Sequence, residues 1–151
     1  YDPETEHREL IVLADNLEQA QRYRDHFLRV GVDGLTGYVS SLDGLLEDGV
    51  TTISAEELPQ SDTYFLLDVR NMNEYTDGYI PGAHQLAVSR VVWHDDELPR
   101  DQPIVTYCAS GRRAAVGSSA LRRKGYHVIE LDGDFHTWAN IEGNMPAYAQ
   151  V

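Results

Sequence analysis

Short apolar runs alternate along the chain with stretches in which apolar residues recur every three or four positions. The clearest runs predict strands at residues 52–53, 64–69, 83–88, 103–107 and 127–131. Helical spacing lies between them, most clearly over residues 112–124, where Gly125 follows as a natural helix stop. Strands that alternate with helices are typical of an α/β fold with a mainly parallel sheet flanked by helices. We therefore predict that fold for residues 51–151.

The first fifty residues show a shorter version of the same pattern. An apolar run over residues 8–15 predicts a strand, Asn16 is placed to cap a helix that ends at Gly31, and residues 32–39 predict a second strand. A short helix is expected at residues 40–46. Matching residues recur at offsets of 93 to 96 in the second half of the chain, which indicates an internal repeat. Residues 1–50 are therefore predicted to be a partial, degenerate copy or an interdomain segment.

Composition narrows the possible functions. The formal net charge of −13 repels phosphate backbones, so nucleic acid is not an expected partner. No apolar run approaches the roughly 18 residues that span a bilayer, so no membrane association is predicted. Six histidines lack the local spacing of a metal motif, and the chain has a single cysteine. We expect neither a metal nor a cofactor, and the lone cysteine fits the reducing cytoplasm.

That cysteine, Cys108, follows a predicted strand and precedes a predicted helix. Sites in open α/β sheets form at the carboxyl ends of strands. The main-chain N–H groups of the next residues are expected to curl around its sulfur, and this set is Ala109, Ser110, Gly111, Arg112 and Arg113. The positive helix start and the two guanidinium groups favour a thiolate and an anion bound beside it. The alternative is that Cys108 is a small buried hydrophobic residue.

Three charged residues upstream are candidates for a supporting role. Arg70 lies four residues before Glu74, so the two side chains are predicted to pair across one turn. Asp68 ends its strand at the same sheet edge as Cys108 and is expected to accept hydrogen bonds from loop N–H groups. A solvated surface pair and a helix cap are the alternative for these residues.

Three motifs in the right order over residues 54–146 resemble the rhodanese-like sulfurtransferases. CASGRR resembles the family's Cys-x-x-Gly-x-Arg loop, LLDVRNMNEYTDGYIPGAHQL its upstream signature, and LDGDFHTWANIEGNMP its ending. The resemblance implies that Cys108 carries a persulfide between a sulfur donor and an acceptor, with Arg113 binding the anion. Tyr79 stands where the family usually has His, and Ala114 where Ser often follows. These departures lead us to expect altered support or substrate preference.

A weaker resemblance covers the first fifty residues. IVLADN and GVDGLTGYVSSL resemble the segment that follows the metallo-β-lactamase-fold domain in fusions of that domain with rhodanese domains. This implies an upstream partner domain, either an iron-dependent persulfide oxygenase or a related hydrolase. Asp15 stands opposite Cys108 at an offset of 93, and the loop after it has neither Gly nor Arg. The first copy is therefore predicted to be inactive.

The leading functional prediction is a sulfurtransferase. Its donor would be thiosulfate, a polysulfide or glutathione persulfide, and its acceptor a thiol or cyanide. A Cys-dependent phosphatase or arsenate reductase is less favoured, because four residues separate Cys108 from Arg113 and related phosphatases have five. A non-catalytic regulatory or interaction module is the third possibility, against which the intact Cys108, Gly111 and Arg113 argue.

Overall fold

The computed structural model describes residues 9–44, 49–58 and 63–149. It divides into two compact units, Tyr1–Gly49 and Val50–Val151.

The first unit is a strand–helix–strand arrangement. β1 (Leu10–Leu13) and β2 (Leu35–Val39) pair in parallel, and α1 (Leu17–Arg29) connects them. The side chain of Asn16 accepts a hydrogen bond from the N–H of Gln19 at 3.0 Å, so the predicted helix cap is confirmed. The helix expected at residues 40–46 is wrong for residues 40–44, which form a bend and a turn, and residues 45–46 lie outside the described part.

The second unit is built on a five-stranded sheet. Its elements follow the order β3 (Thr52–Ser54), β4 (Phe65–Asp68), α2 (Met72–Thr76), β5 (His84–Gln85), α3 (Val88–Val91), β6 (Ile104–Tyr107), α4 (Arg112–Arg123), β7 (Val128–Asp132) and α5 (Phe135–Ala139). The strands lie side by side in the order β3-β7-β6-β4-β5, and all pairs are parallel. The predicted α/β fold with a mainly parallel sheet is thereby confirmed.

The strand predicted at residues 83–88 is much shorter in the structure. Of the residues in this run only His84 and Gln85, which form β5, pair with β4 as a strand. The N–H of Val88 still bonds the carbonyl of Val69 at 3.1 Å, but Val88 already begins α3. β5 is the edge strand of the sheet, so the chain leaves it early to cover the sheet with a helix.

The core lies on both faces of the sheet, and the central strand β6 contributes to each. Ile104 belongs to one buried cluster, whereas Val105 and Tyr107 belong to the other. All four residues of β6 are buried. A strand buried on both faces needs a continuous apolar run, which is why its sequence shows no alternation. Cys108 joins the first cluster at the end of this strand.

The helices α1 and α4 end in the same way. After α1, the N–H of Gly31 donates to the carbonyl of Leu28. After α4, the N–H of Gly125 donates to the carbonyl of Arg122 in the same way. Both glycines have a positive φ, 79° and 85°, the conformation that this helix-ending turn requires. The two glycines and the starts of β1 and β6 are each 94 positions apart, whereas the helix starts Leu17 and Arg112 are 95 positions apart. The residue that directly follows β1 is Ala14, which is buried like Cys108 after β6, and Asp15 comes one position later.

Candidate active site

Cys108 lies immediately after β6, at the carboxyl end of the central strand as predicted. The residue is fully buried, and its carbonyl accepts the N–H of Phe135 at 3.0 Å. Its sulfur accepts the N–H of Ala114 at 3.4 Å. That donor comes from the first turn of α4 and lies one residue beyond the predicted set. The sulfur therefore faces the positive end of a 12-residue helix.

The loop that follows Cys108 ends in a glycine, Gly111, directly before α4 begins. Ala109 is half-buried and Ser110 is exposed. Gly111 is the N-cap residue of α4 and has a φ of 75°, a conformation that side chains of L-residues rarely adopt. Any other residue would be strained at this φ, so the glycine favours the turn that precedes the N–H of Ala114.

The two arginines of the loop have different surroundings. Arg113 donates two hydrogen bonds to the carboxylate of Glu74, at 2.6 and 2.7 Å. The hydrogen bond from Arg113 lowers the pKa of Glu74 to about 2, and the hydrogen bond from Glu74 raises the pKa of Arg113. The nearby thiol of Cys108 contributes to the second shift. Arg112 is exposed, and the described contacts give it no carboxylate partner.

Asp68 and Arg70 form a buried ion pair at the end of β4. Their side chains are 0% and 3% exposed, and Arg70 Nη2 lies 2.6 Å from Asp68 Oδ2. Burial lowers the pKa of Arg70, but the hydrogen bonds and the charge of Asp68 outweigh it and raise the pKa overall. The predicted pairing of Arg70 with Glu74 is wrong, because each residue has a different partner. Asp68 accepts the N–H of Arg70 at 2.9 Å and not a hydrogen bond from the cysteine loop.

Arg70 also contacts a main-chain carbonyl and two aromatic rings. Its Nη2 donates to the carbonyl of Gly78 at 2.8 Å, and its Cζ lies 4.1 Å from the ring centre of Phe135 and 5.6 Å from that of Tyr107. Neither Phe135 nor Tyr107 was predicted from the sequence as a site residue. Phe135 falls within the downstream motif, which offered the one signal that could have found it.

Tyr79, the residue that departs from the family's usual His, stacks on Tyr75. The two rings lie 4.0 Å apart and 15° from parallel. The hydroxyl of Tyr75 donates to the carbonyl of Ala83 at 2.9 Å, and burial raises the pKa of Tyr75 to about 12. The N–H of Tyr79 donates to the carbonyl of Ala147 at 2.9 Å. These contacts give Tyr79 a packing position in the fold.

The arrangement brings together a buried thiol, a donor N–H and the positive start of a helix. Within the described residues, no three His, Cys, Asp or Glu side chains come together in a way that could hold a metal ion. None of the helices in the same part of the chain has the length and apolar character needed to cross a membrane. The chemistry that this site offers is that of a single thiol beside a cationic loop.

Comparison with known proteins points to one family. The family model described as Rhodanese-like domain matches residues 51–141. A protein named Sulfurtransferase from Allochromatium vinosum is 34% identical over 95 residues, which cover 60% of this chain and 89% of that protein. Thiosulfate sulfurtransferase GlpE from Pseudoalteromonas translucida is 31% identical over 83 residues, covering 54% and 79%. The crystal structure of a rhodanese-related protein from Thermoplasma volcanium has a TM-score of 0.61 at 26% identity, covering 66% and 99%.

Proposed function

Because this chain belongs to the rhodanese-like domain family, we propose that it is a sulfurtransferase in which Cys108 carries a persulfide. The observation that carries the proposal is the position of the Cys108 sulfur under the N–H of Ala114, at the start of a helix that also holds Arg113. A helix start beside a guanidinium group stabilises negative charge on a sulfur. The same features stabilise the outer sulfur of a persulfide anion.

The reaction consists of two displacements at sulfur. The Cys108 thiolate attacks the outer sulfur of thiosulfate, forming a sulfur–sulfur bond while the bond to the leaving sulfite breaks with its electron pair. An acceptor thiolate or cyanide then attacks the outer sulfur of the persulfide and restores the Cys108 thiolate. Each step conserves charge and needs no external oxidant or reductant. A covalent intermediate of this kind divides one transfer into two easier steps.

The burial of Cys108 favours a donor that presents one small sulfur atom. The residue has no exposed surface, and the half-buried Ala109 belongs to the loop above it. Thiosulfate, a polysulfide and glutathione persulfide each end in such an atom, and we propose this group as the donor class. A small thiol or cyanide is proposed as the acceptor.

Mass spectrometry of the intact chain tests the proposal. Incubation with thiosulfate under non-reducing conditions is expected to add one sulfur, about 32 Da, to Cys108. Cys108→Ser is expected to remove both the adduct and turnover in a thiosulfate:cyanide assay while the circular dichroism spectrum is unchanged. A folded wild-type chain that gains no mass and forms no thiocyanate would instead be a non-catalytic interaction module.

Phosphate-ester chemistry is the less favoured enzyme activity for the same loop. Four residues between Cys108 and Arg113 make a smaller ring than a tetrahedral oxyanion needs, and Glu74 already occupies two N–H groups of Arg113. Hydrolysis of p-nitrophenyl phosphate at a rate that Cys108→Ser abolishes would favour the phosphatase over the sulfurtransferase.

We also propose a cytoplasmic location and a neighbouring domain for this protein. The single cysteine fits a reducing cytoplasm. The first unit is proposed to be a degenerate partial copy of the second, and its resemblance to fusion proteins supports a metallo-β-lactamase-fold domain upstream. Reading the coding sequence upstream of Tyr1 tests that last point, and a reading frame without such a domain would contradict it.

A further inference from the structure

We propose that Phe135 is a positioning residue that connects the buried Asp68–Arg70 ion pair to the peptide unit of Cys108. The inference rests on the proposed function, since it concerns how the sulfur site is held. Phe135 is 8% exposed and is the first residue of α5, on the opposite side of β6 from the helix α4 that follows the cysteine loop.

The ring of Phe135 lies against the guanidinium group of Arg70, which is buried and held by hydrogen bonds. Arg70 lies with its guanidinium carbon 4.1 Å from the ring centre, a distance at which a cation is attracted to an aromatic face. Two carboxylate oxygens of Asp68 and the carbonyl of Gly78 hold that guanidinium, and both charged side chains are buried. The ion pair therefore sets where the ring of Phe135 lies.

The main chain of Phe135 transmits this position to the nucleophile. Its N–H donates to the carbonyl of Cys108 at 3.0 Å. A trans peptide unit is planar, and its C=O and N–H groups point in opposite directions. Fixing the Cys108 carbonyl toward Phe135 thus directs the N–H of Ala109, the first amide of the cysteine loop, away from it. This hydrogen bond therefore helps to orient the first peptide unit of the loop over the sulfur.

The position of Phe135 allows the ring and the N–H to be removed separately. As the first residue of a helix it tolerates proline, which lacks the N–H. The preceding Asp134 already has the extended backbone that proline requires of its neighbour, with φ −152° and ψ −178°. Phe135→Pro removes ring and N–H, Phe135→Leu removes only the ring, and Phe135→Tyr retains both.

A matched control exists in the first unit. Leu17 is the first residue of α1, and Asn16 before it has φ −160° and ψ 172°. Leu17→Pro makes the same backbone change at a helix start that does not contact a cysteine. All variants are made in the full chain and compared by circular dichroism and by urea denaturation.

The decisive measurement is the alkylation of Cys108 by iodoacetamide across a pH series, because it reports on the sulfur and does not depend on sulfur transfer. We expect Phe135→Pro to slow alkylation at pH 7 about tenfold, an effect of the size of one hydrogen bond. Phe135→Leu is expected to give a smaller effect, and Phe135→Tyr and Leu17→Pro the wild-type profile. In the thiosulfate:cyanide assay kcat should fall with KM unchanged.

Equal alkylation profiles for Phe135→Pro and wild type would overturn the proposal, as would an identical loss in Leu17→Pro. If Phe135→Pro fails to fold, the comparison of Phe135→Leu with Phe135→Tyr decides, and equal rates for these two would overturn it. A wild-type chain that is alkylated as expected but transfers no sulfur would contradict the proposed function and leave the positioning role standing.

Discussion

Arg113 and Glu74 are 39 residues apart in the chain and are joined by two hydrogen bonds of 2.6 and 2.7 Å. The pair ties the start of α4 to α2 and occupies the guanidinium group that the cysteine loop presents. Arg113 thus links two helices beside the Cys108 thiol, and Arg112 is the exposed positive charge of the loop.

Removing the Glu74 carboxylate should make stability less dependent on pH. Its pKa is lowered from about 4.5 to about 2, so the pair stabilises the fold above the unfolded value and this contribution is lost as the pH falls through about 2. Glu74→Gln is expected to cost about 1 kcal/mol at pH 7, after allowing for solvent screening of a partly exposed pair. Urea denaturation at pH 7 and at pH 3 tests this, and an equal difference at both values would contradict it.

Arg112 should govern the affinity for anionic donors. It is exposed and lies in the loop above Cys108, in a chain whose net charge of −13 otherwise repels anions. Arg112→Ala is expected to raise KM for thiosulfate about fivefold at low salt, with a smaller effect at 0.5 M salt. Arg123→Ala, which removes the same charge about 16 Å further along α4, is the control. Equal effects of the two substitutions would show that only the overall charge matters.

Breaking the buried pair should destabilise the second unit strongly. Asp68→Asn leaves the guanidinium of Arg70 buried without a counter-charge, which typically costs about 3–5 kcal/mol. The exposed pair of Glu18 and Arg22 is the control, because Glu18→Gln removes a bridge whose side chains are 75% and 71% exposed. The midpoints of urea denaturation measure both, and a loss for Asp68→Asn no larger than that for Glu18→Gln would contradict the expectation.

The first unit should take no part in sulfur transfer. The connection from β1 to α1 consists of Ala14, Asp15 and Asn16, and it contains neither a thiol nor a cationic side chain. Asp15→Asn in the full chain is therefore expected to leave kcat and KM unchanged in the thiosulfate:cyanide assay. A loss of more than about twofold in a variant with the wild-type circular dichroism spectrum would show that the first unit contributes to the site.

Local patterns in the sequence were sufficient for the fold and for the position of Cys108. An apolar run, a Gly-containing loop and a helix start fix Cys108 at a strand end, because each of these signals acts over a few residues. The partners of Arg70 and Glu74 could not be found in this way. Spacing alone suggested that they pair with each other, whereas the fold brings Arg113 to Glu74 across 39 positions.

Hydrogen bonds made by the main chain could not be predicted from the sequence either. The N–H of Phe135 reaches the carbonyl of Cys108, and any residue except proline could supply it. The N–H of Ala114, which donates to the sulfur, was not predicted, because the sequence marked Ala114 only as standing where the family often has Ser. Sequence patterns report side chains, so a site assembled from amide groups is visible in them only where glycine marks a turn.

The connection between strand and helix has a different length in the two units. β1 and β6 begin 94 positions apart, but the helices that follow them begin at Leu17 and Arg112, which are 95 positions apart. Three residues thus join β1 to α1 and four join β6 to α4, and Gly111 with its positive φ is the last of those four. Ala14→Cys by itself would place a thiol on a connection that is one residue shorter and contains neither Gly nor Arg. Point substitutions alone would therefore not convert the first connection into the second, because an inserted residue is needed as well.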